Sequence, residues 1–291
     1  MHVDVHTLAI ILSLSNLMQV GALFIQYRVD KTHSGPGWWT MGTAALAIGF
    51  AFNYLRDAPG VAWIAIVFNN LFFLAGASLL YVGVLRFLGR PEPRRMLLIV
   101  FAIVAAAVLY YTFVQDNVPA RRVIVSAALV LITSLNALAL LVHKPHRASA
   151  SSYFLAAVLL AHTGFLITRA LTPLSGPHVE GIFSSSASQV ATYVSALIST
   201  TLWTFGFILM VNQRLNAERQ ATIEELHGAL EQIRTLRGIL PMCAHCKKIR
   251  DDRGFWQQVE AYLSQHTEAE FSHGICPDCM QTIYPQYHGG A

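Results

Sequence analysis

Cys243-Ala-His-Cys246 and Cys276-Pro-Asp-Cys279 hold all four cysteines of the chain, as two C-x-x-C pairs with 29 residues between them. Each such turn can present two thiolates on one side, with backbone N–H groups aimed at sulfur. Two turns complete a tetrahedral four-sulfur shell, with metal–sulfur distances of ~2.3 Å, as in structural zinc sites. Four thiolates leave no open position for water, so the Zn2+ expected here is structural and not catalytic. Lys247, Lys248, Arg250 and Arg253 stand close in sequence to offset the negative charge of such a cluster. His245 and His273 are spare ligands, more simply read as polar neighbours of the site. An iron–sulfur cluster also takes four cysteines, but the symmetrical two-plus-two pattern suits zinc better. A thioredoxin-like redox pair would need a βαβ context that the sequence lacks.

The rest of the chain explains where such a head would sit. Of 291 residues, 54% are hydrophobic and only 12% charged, about half the charge of a soluble domain. The deficit is confined to residues 1–213. Seven stretches there carry no Asp, Glu, Lys or Arg: Val5–Tyr27, Trp38–Leu55, Val61–Leu85, Met96–Gln115, Val123–Val142, Ser151–Thr168, and a last one from about Val190 to Gln213. About 20 helical residues cross a bilayer. Backbone polar groups in lipid must be satisfied internally, and the runs lack the alternation of a barrel strand, so they are expected to be helices. The first has no basic leading region and no small-residue cleavage site before Arg28, unlike a signal peptide.

Basic residues in the loops set the orientation. The first, third and fifth connections hold eight (Arg28, Lys31; Arg86, Arg90, Arg94, Arg95; Lys144, Arg147), against four in the others (Arg56; Arg121, Arg122; Arg169). The N-terminus is thus expected outside and the C-terminus in the cytoplasm of a cell (inner) membrane. Thiols stay reduced there, which disfavours disulfides between the cysteine pairs. The net charge of +4 is a topology signal, and no nucleic-acid partner is implied.

Between membrane and cysteines lies Arg214–Leu240, without Pro. Ile223, Leu226, Leu230, Ile233 and Leu240 follow a 3-4 spacing among charged neighbours, a short heptad seam. It predicts a parallel homodimer through residues 214–240, or else one amphipathic helix packed on its own head. His227 lacks the acidic residue and proline of a phosphorylated kinase histidine, and is read as a solvated helix residue. After the first cysteine pair, Phe255, Trp256, Val259, Tyr262 and Leu263 share one helical face and predict a short helix on the zinc core. The head is so small that metal is expected to supply much of its folding free energy.

Polar residues inside spans are expensive and invite function. Asn16, Gln19, Asn69, Asn70, Asn136, His162, Thr200, Thr201 and Thr204 fall within the charge-free runs. Interhelical hydrogen bonding accounts for most such residues. His162, with Asn69 and Asn70, forms the candidate set for a small-ligand pocket. His162 is the only histidine well inside a span, which leaves bis-histidine haem unsupported. Retinal needs a buried lysine, and every lysine lies outside the spans. Trp38, Trp39, Tyr54, Tyr110, Tyr111 and Tyr153 stand near span ends, where aromatic belts are expected.

Two parts resemble known signalling modules. Leu236-Arg-Gly-Ile-Leu-Pro-Met-Cys-Ala-His-Cys-Lys-Lys-Ile-Arg-Asp-Asp, Phe255-Trp-Gln-Gln-Val-Glu and Phe271-Ser-His-Gly-Ile-Cys-Pro-Asp-Cys resemble a four-cysteine tail of bacterial signalling proteins, where it commonly follows PAS or response-receiver domains. Asp4-Val-His-Thr-Leu, Trp38-Trp-Thr-Met-Gly with Leu55-Arg, and Leu80-Tyr-Val-Gly-Val-Leu-Arg-Phe-Leu-Gly-Arg-Pro resemble membrane sensor modules that precede diguanylate cyclase domains. That resemblance implies a sensory membrane domain. The cyclase, kinase and receiver sequences usual in such proteins are absent, so output is expected through the zinc head or a separate cytoplasmic signalling protein.

The expected architecture is an all-α membrane protein: a seven-helix transmembrane sensor domain over 1–213, a signalling helix over 214–240, a four-cysteine zinc-binding domain over 241–285, and a tail over 286–291. The expected role is an integral membrane sensor or signal relay. Its rivals are a membrane-anchored zinc adaptor and a small-solute transporter. The transporter is weakened by the lack of charged residues in the spans and of an internal repeat. With no nucleophile-and-base constellation and a closed metal site, an enzyme is not expected.

Overall fold

The computed structural model of the chain describes residues 5–29, 34–55, 60–143, 149–171, 187–237, 240–251, 253–266 and 270–284. The expected tail at 286–291 lies outside them. Seven long helices come first: α1 Val5–Val29, α2 Pro36–Phe52, α3 Ala62–Phe87, α4 Arg94–Phe113, α5 Val118–Val142, α6 Ser149–Leu171 and α7 Ala187–Arg237. A strand pair, β1 Ile249–Arg250 and β2 Trp256–Gln257, and two short helices, α8 Val259–His266 and α9 Pro277–Ile283, follow. The chain divides into two compact units, Met1–Arg219 and Gln220–Ala291.

Six helices, all but α2 among the first seven, are long and apolar enough to cross a membrane. Large apolar side chains stand outward on them, including Leu17, Met18, Leu98 and Ile103, each more than half exposed. Such a surface suits lipid and not water. These are the marks of a helical multi-pass membrane protein. The helix α2 has 17 residues and is extended by a 3₁₀ turn over Asn53–Leu55.

Local chemistry sets the helix ends. Pro36 opens α2 and Pro119 opens α5, where a missing N–H costs nothing. Asn117 caps α5, its Oδ1 accepting from Ala120 N–H at 3.0 Å. Gly89, at φ 66°, turns the chain out of α3, and Arg90 N–H returns to Leu85 O at 2.8 Å.

The α2–α3 pair is packed closely, as is α5 with α6. At Gly42 and Gly76 the backbones nearly touch. A Cβ on Gly42 would lie 2.9 Å from Leu80 Cγ and 3.0 Å from Gly76 O, and one on Gly76 2.9 Å from Gly42 O. Trp39 is fully buried here. Its ring stacks on Phe207 of α7 at 4.4 Å and sits 5.2 Å from Phe87 of α3. It is a core residue joining three helices, not a member of an interfacial belt. It does stand in the first turn of α2, near a span end, but Phe207 and Phe87 cover its ring.

In the second unit, the helix expected to carry Phe255 and Trp256 begins only at Val259. Asp251 decides this. Its Oδ1 accepts from the backbone N–H of Arg253 at 3.0 Å and of Phe255 at 2.8 Å. Gly254, at φ 88°, closes the turn. The chain therefore doubles back, pairing Arg250 with Trp256 and Ile249 with Gln257 in an antiparallel hairpin.

Candidate functional site

A cavity of about 440 Å³ lies within the first unit, lined by α2, α3, α5, α6 and α7. Its volume is in the range of small-molecule sites. Asn69, Asn70 and His162 all line it. The structure thus brings the three candidate pocket residues to one wall system, along with Asn136, Thr133 and Thr200.

Their side chains differ in what they have left to offer. Asn69 is committed to structure: Nδ2 donates to Gly49 O at 2.9 Å and to Asn53 Oδ1 at 2.8 Å, tying α3 to α2. Asn70 Nδ2 donates back to Ile66 O within its own helix at 2.7 Å. His162 Nδ1 lies 3.0 Å from Ser199 Oγ on α7. Its ring meets the edge of Trp203 at 5.5 Å, and Trp203 also lines the cavity. Thr133 and Thr163 share a hydrogen bond of 2.9 Å across α5 and α6. Asn136 is buried, and its Oδ1 has no protein partner among the described residues.

The remaining polar residues named from the sequence lie elsewhere. Gln19 bridges α1 to α7, donating to Thr201 Oγ1 at 3.2 Å and accepting from Thr204 at 3.2 Å. Asn16 is fully buried with neither amide atom paired among the described residues, and nothing in the structure accounts for it.

Three arginines line one end of the cavity: Arg121 and Arg122 in the first turns of α5, and Arg169 near the end of α6. In the linear sequence they stand out only as loop charges that set topology. They come together because α5 and α6 run in opposite directions, so the start of one and the end of the other share an end of the bundle. Arg121 is engaged by Asp116 at 2.8 Å and by the Tyr111 carbonyl.

The cysteines stand in two pairs. In the first, Cys243 N–H donates to Lys248 O at 2.8 Å and Lys247 N–H to Cys243 O at 3.0 Å. Lys247 takes the left-handed backbone, φ 59°, to close this knuckle. The backbone N–H groups of Cys246 and His245, with the Cys246 side chain, hold the Cys243 thiol below its ordinary pKa. Cys276 sits at the start of α9. The N–H and side chain of Cys279 hold its thiol down as well, against slight burial. Both shifts favour thiolate, the form in which cysteine binds a metal. Among the described residues, no three His, Cys, Asp or Glu side chains converge at metal-binding distance. No disulfide joins the four cysteines.

In comparisons with family models, curated proteins and solved structures, nothing matched the chain.

Proposed function

We propose that the protein is an integral membrane sensor that passes a change in its membrane domain to a cytoplasmic interaction head. In this reading α2, with its 3₁₀ extension, is the seventh span. The bundle sits in a cell (inner) membrane with the N-terminus outside. The head over residues 241–285 is held by one structural zinc on Cys243, Cys246, Cys276 and Cys279, and docks on a separate cytoplasmic signalling protein. The protein is not an enzyme.

The observation that carries the reading is the continuity of α7. One unbroken helix contributes Thr200 and Trp203 to the cavity wall and runs on to Arg237. A ligand that shifts Trp203 acts on the same helix that continues past the membrane domain. One helical turn below Trp203, Phe207 stacks on Trp39, which packs against Phe87. These contacts give the helix discrete packing partners to exchange.

The emerging part of α7 supports a second copy of the chain as its partner. Ile223, Leu226 and Leu230 are about half exposed and lie on the 3-4 seam, which a parallel dimer would bury. Ile233, also on the seam, has a side chain outside those described.

The test uses the full chain in membranes, with a photoreactive benzoylphenylalanine in place of Leu226, Glu224 or Gly228. Crosslinking between subunits is expected mainly from position 226. Ala77→Leu, which fills part of the cavity, is expected to change that yield. A pattern indifferent to position removes the dimer. A pattern that cavity filling never alters leaves α7 a passive tether and the protein a membrane-anchored zinc adaptor.

A further inference from the structure

We infer that the cavity takes an extended amphiphile that carries a carboxylate at one end and a hydroxyl far along its apolar chain. This names the ligand class of the site above and rests on the reading of that cavity as a sensory pocket.

The shape comes first. The lining runs from Ala62 to Leu80 along α3 and from Val118 to Asn136 along α5. At ~1.5 Å per residue each of these walls is about 27 Å long. With a volume of about 440 Å³ the space is long and narrow, which suits a chain better than a ring system. Phe165, Leu166, Ile132 and Leu129 supply apolar wall between its ends.

The charge comes second. Arg121, Arg122 and Arg169 line one end, and no Asp or Glu is among the described lining residues. Arg121 is already offset by Asp116. Arg122 has no ion pair or hydrogen bond among the described residues, though it is only partly exposed. A guanidinium in that position favours an anion, and its fork matches a carboxylate.

The third observation is independent of charge. Asn136 lies deep on the same helix, 3% exposed, with Oδ1 unpaired. A buried amide without a partner is costly and points to a missing group. A hydroxyl satisfies it whichever way the amide is turned, because it both donates and accepts. A cationic head is excluded by the arginines, and a plain alkyl chain leaves Asn136 unsatisfied.

The experiment measures saturable binding of radiolabelled probes to the full-length protein in lipid nanodiscs, against empty nanodiscs. The probes are omega-hydroxydodecanoate, dodecanoate and dodecanediol, which differ only in their end groups. Omega-hydroxydodecanoate is expected to bind most tightly. Arg122→Gln should weaken it roughly tenfold or more while leaving dodecanediol unchanged, with Arg122→Lys between. Asn136→Leu should weaken omega-hydroxydodecanoate several-fold and leave dodecanoate as it was, which also reports that the variant is folded. Equal affinity for the hydroxy acid and the diol, or no loss in Arg122→Gln, overturns the class of ligand. The relay is read separately, by crosslinking from position 226. Binding that obeys the charge rule without altering the crosslink sinks the relay and leaves the ligand class standing. A crosslink altered by cavity filling without charge-selective binding does the reverse.

Discussion

Arg214 of α7 donates from Nη1 to the carbonyl oxygen of Phe87 at 2.7 Å, and its guanidinium lies over the Phe87 ring at 5.1 Å. Phe87 is the last residue of α3, where carbonyls have no helical partner and the helix dipole is negative. The contact caps one helix with a cation from another and fixes α7 at that end of the bundle.

Arg214→Ala is therefore expected to lower the thermal unfolding midpoint of the detergent-solubilised protein, with a loss of about 1–2 kcal/mol. Arg214→Lys keeps the charge and a donor but loses the planar stack, and should fall between. A midpoint unchanged in Arg214→Ala removes the clamp from the account.

The close approach of α2 and α3 makes Gly76 intolerant of side chains. Gly76→Val should cost about 3 kcal/mol or more, since both Leu46 and the Gly42 carbonyl stand in the way. Gly164→Ala, where a Cβ meets nothing within 4 Å, is the control. Monodispersity by fluorescence-detected size exclusion should collapse for the first and persist for the second.

Glu92 is forked between Arg86 and Arg94, the latter at 2.8 Å. The hydrogen bond from Arg86, then that from Arg94, holds its carboxyl below the ordinary carboxylate range. A depressed pKa contributes stability above the unfolded value, lost as pH falls through the folded one. The gap in unfolding midpoint between the natural protein and Glu92→Gln should be small at about pH 7 and close towards about pH 3. A gap that widens in acid reverses the assignment.

Purified protein is expected to hold close to one zinc per chain and to release it on acidification, as protons compete for the thiolates. Cys276→Ser should lose the metal and loosen the head while the long helices remain inserted. Elemental analysis showing iron, or no metal, overturns the zinc assignment.

In the proposed orientation Arg94 faces the cytoplasm and Asn117 the outside. Arg94→Cys and Asn117→Cys, in a background lacking the four native cysteines, should be labelled from opposite faces by an impermeant thiol reagent. Labelling from one face discards the seven-span arrangement.

Much of the architecture was legible in the linear chain, because lipid-crossing helices announce themselves locally. A run such as Met96–Gln115 has one way to satisfy its backbone in hydrocarbon, and α4 forms there, shifted by two residues. The two cysteine pairs were legible for the same reason, since each C-x-x-C turn is a local structure. Local pattern misled where a side chain intervened: a helical face through Phe255 and Trp256 gave way to a hairpin because Asp251 binds two backbone N–H groups ahead of it. Composition and spacing by themselves determined that this is a membrane chain of long apolar helices with a cysteine-paired end. Only the tertiary structure decided which polar groups share a space. Asn69 and His162 line one cavity although one is spent on Gly49 and Asn53. Arg122 and Arg169, far apart in sequence, meet at one end of it because antiparallel helices bring distant ends together. Trp39 is core and not belt because Phe207, on a helix much later in the chain, stacks upon it. Such placements depend on helix–helix packing between remote segments, which no local period encodes.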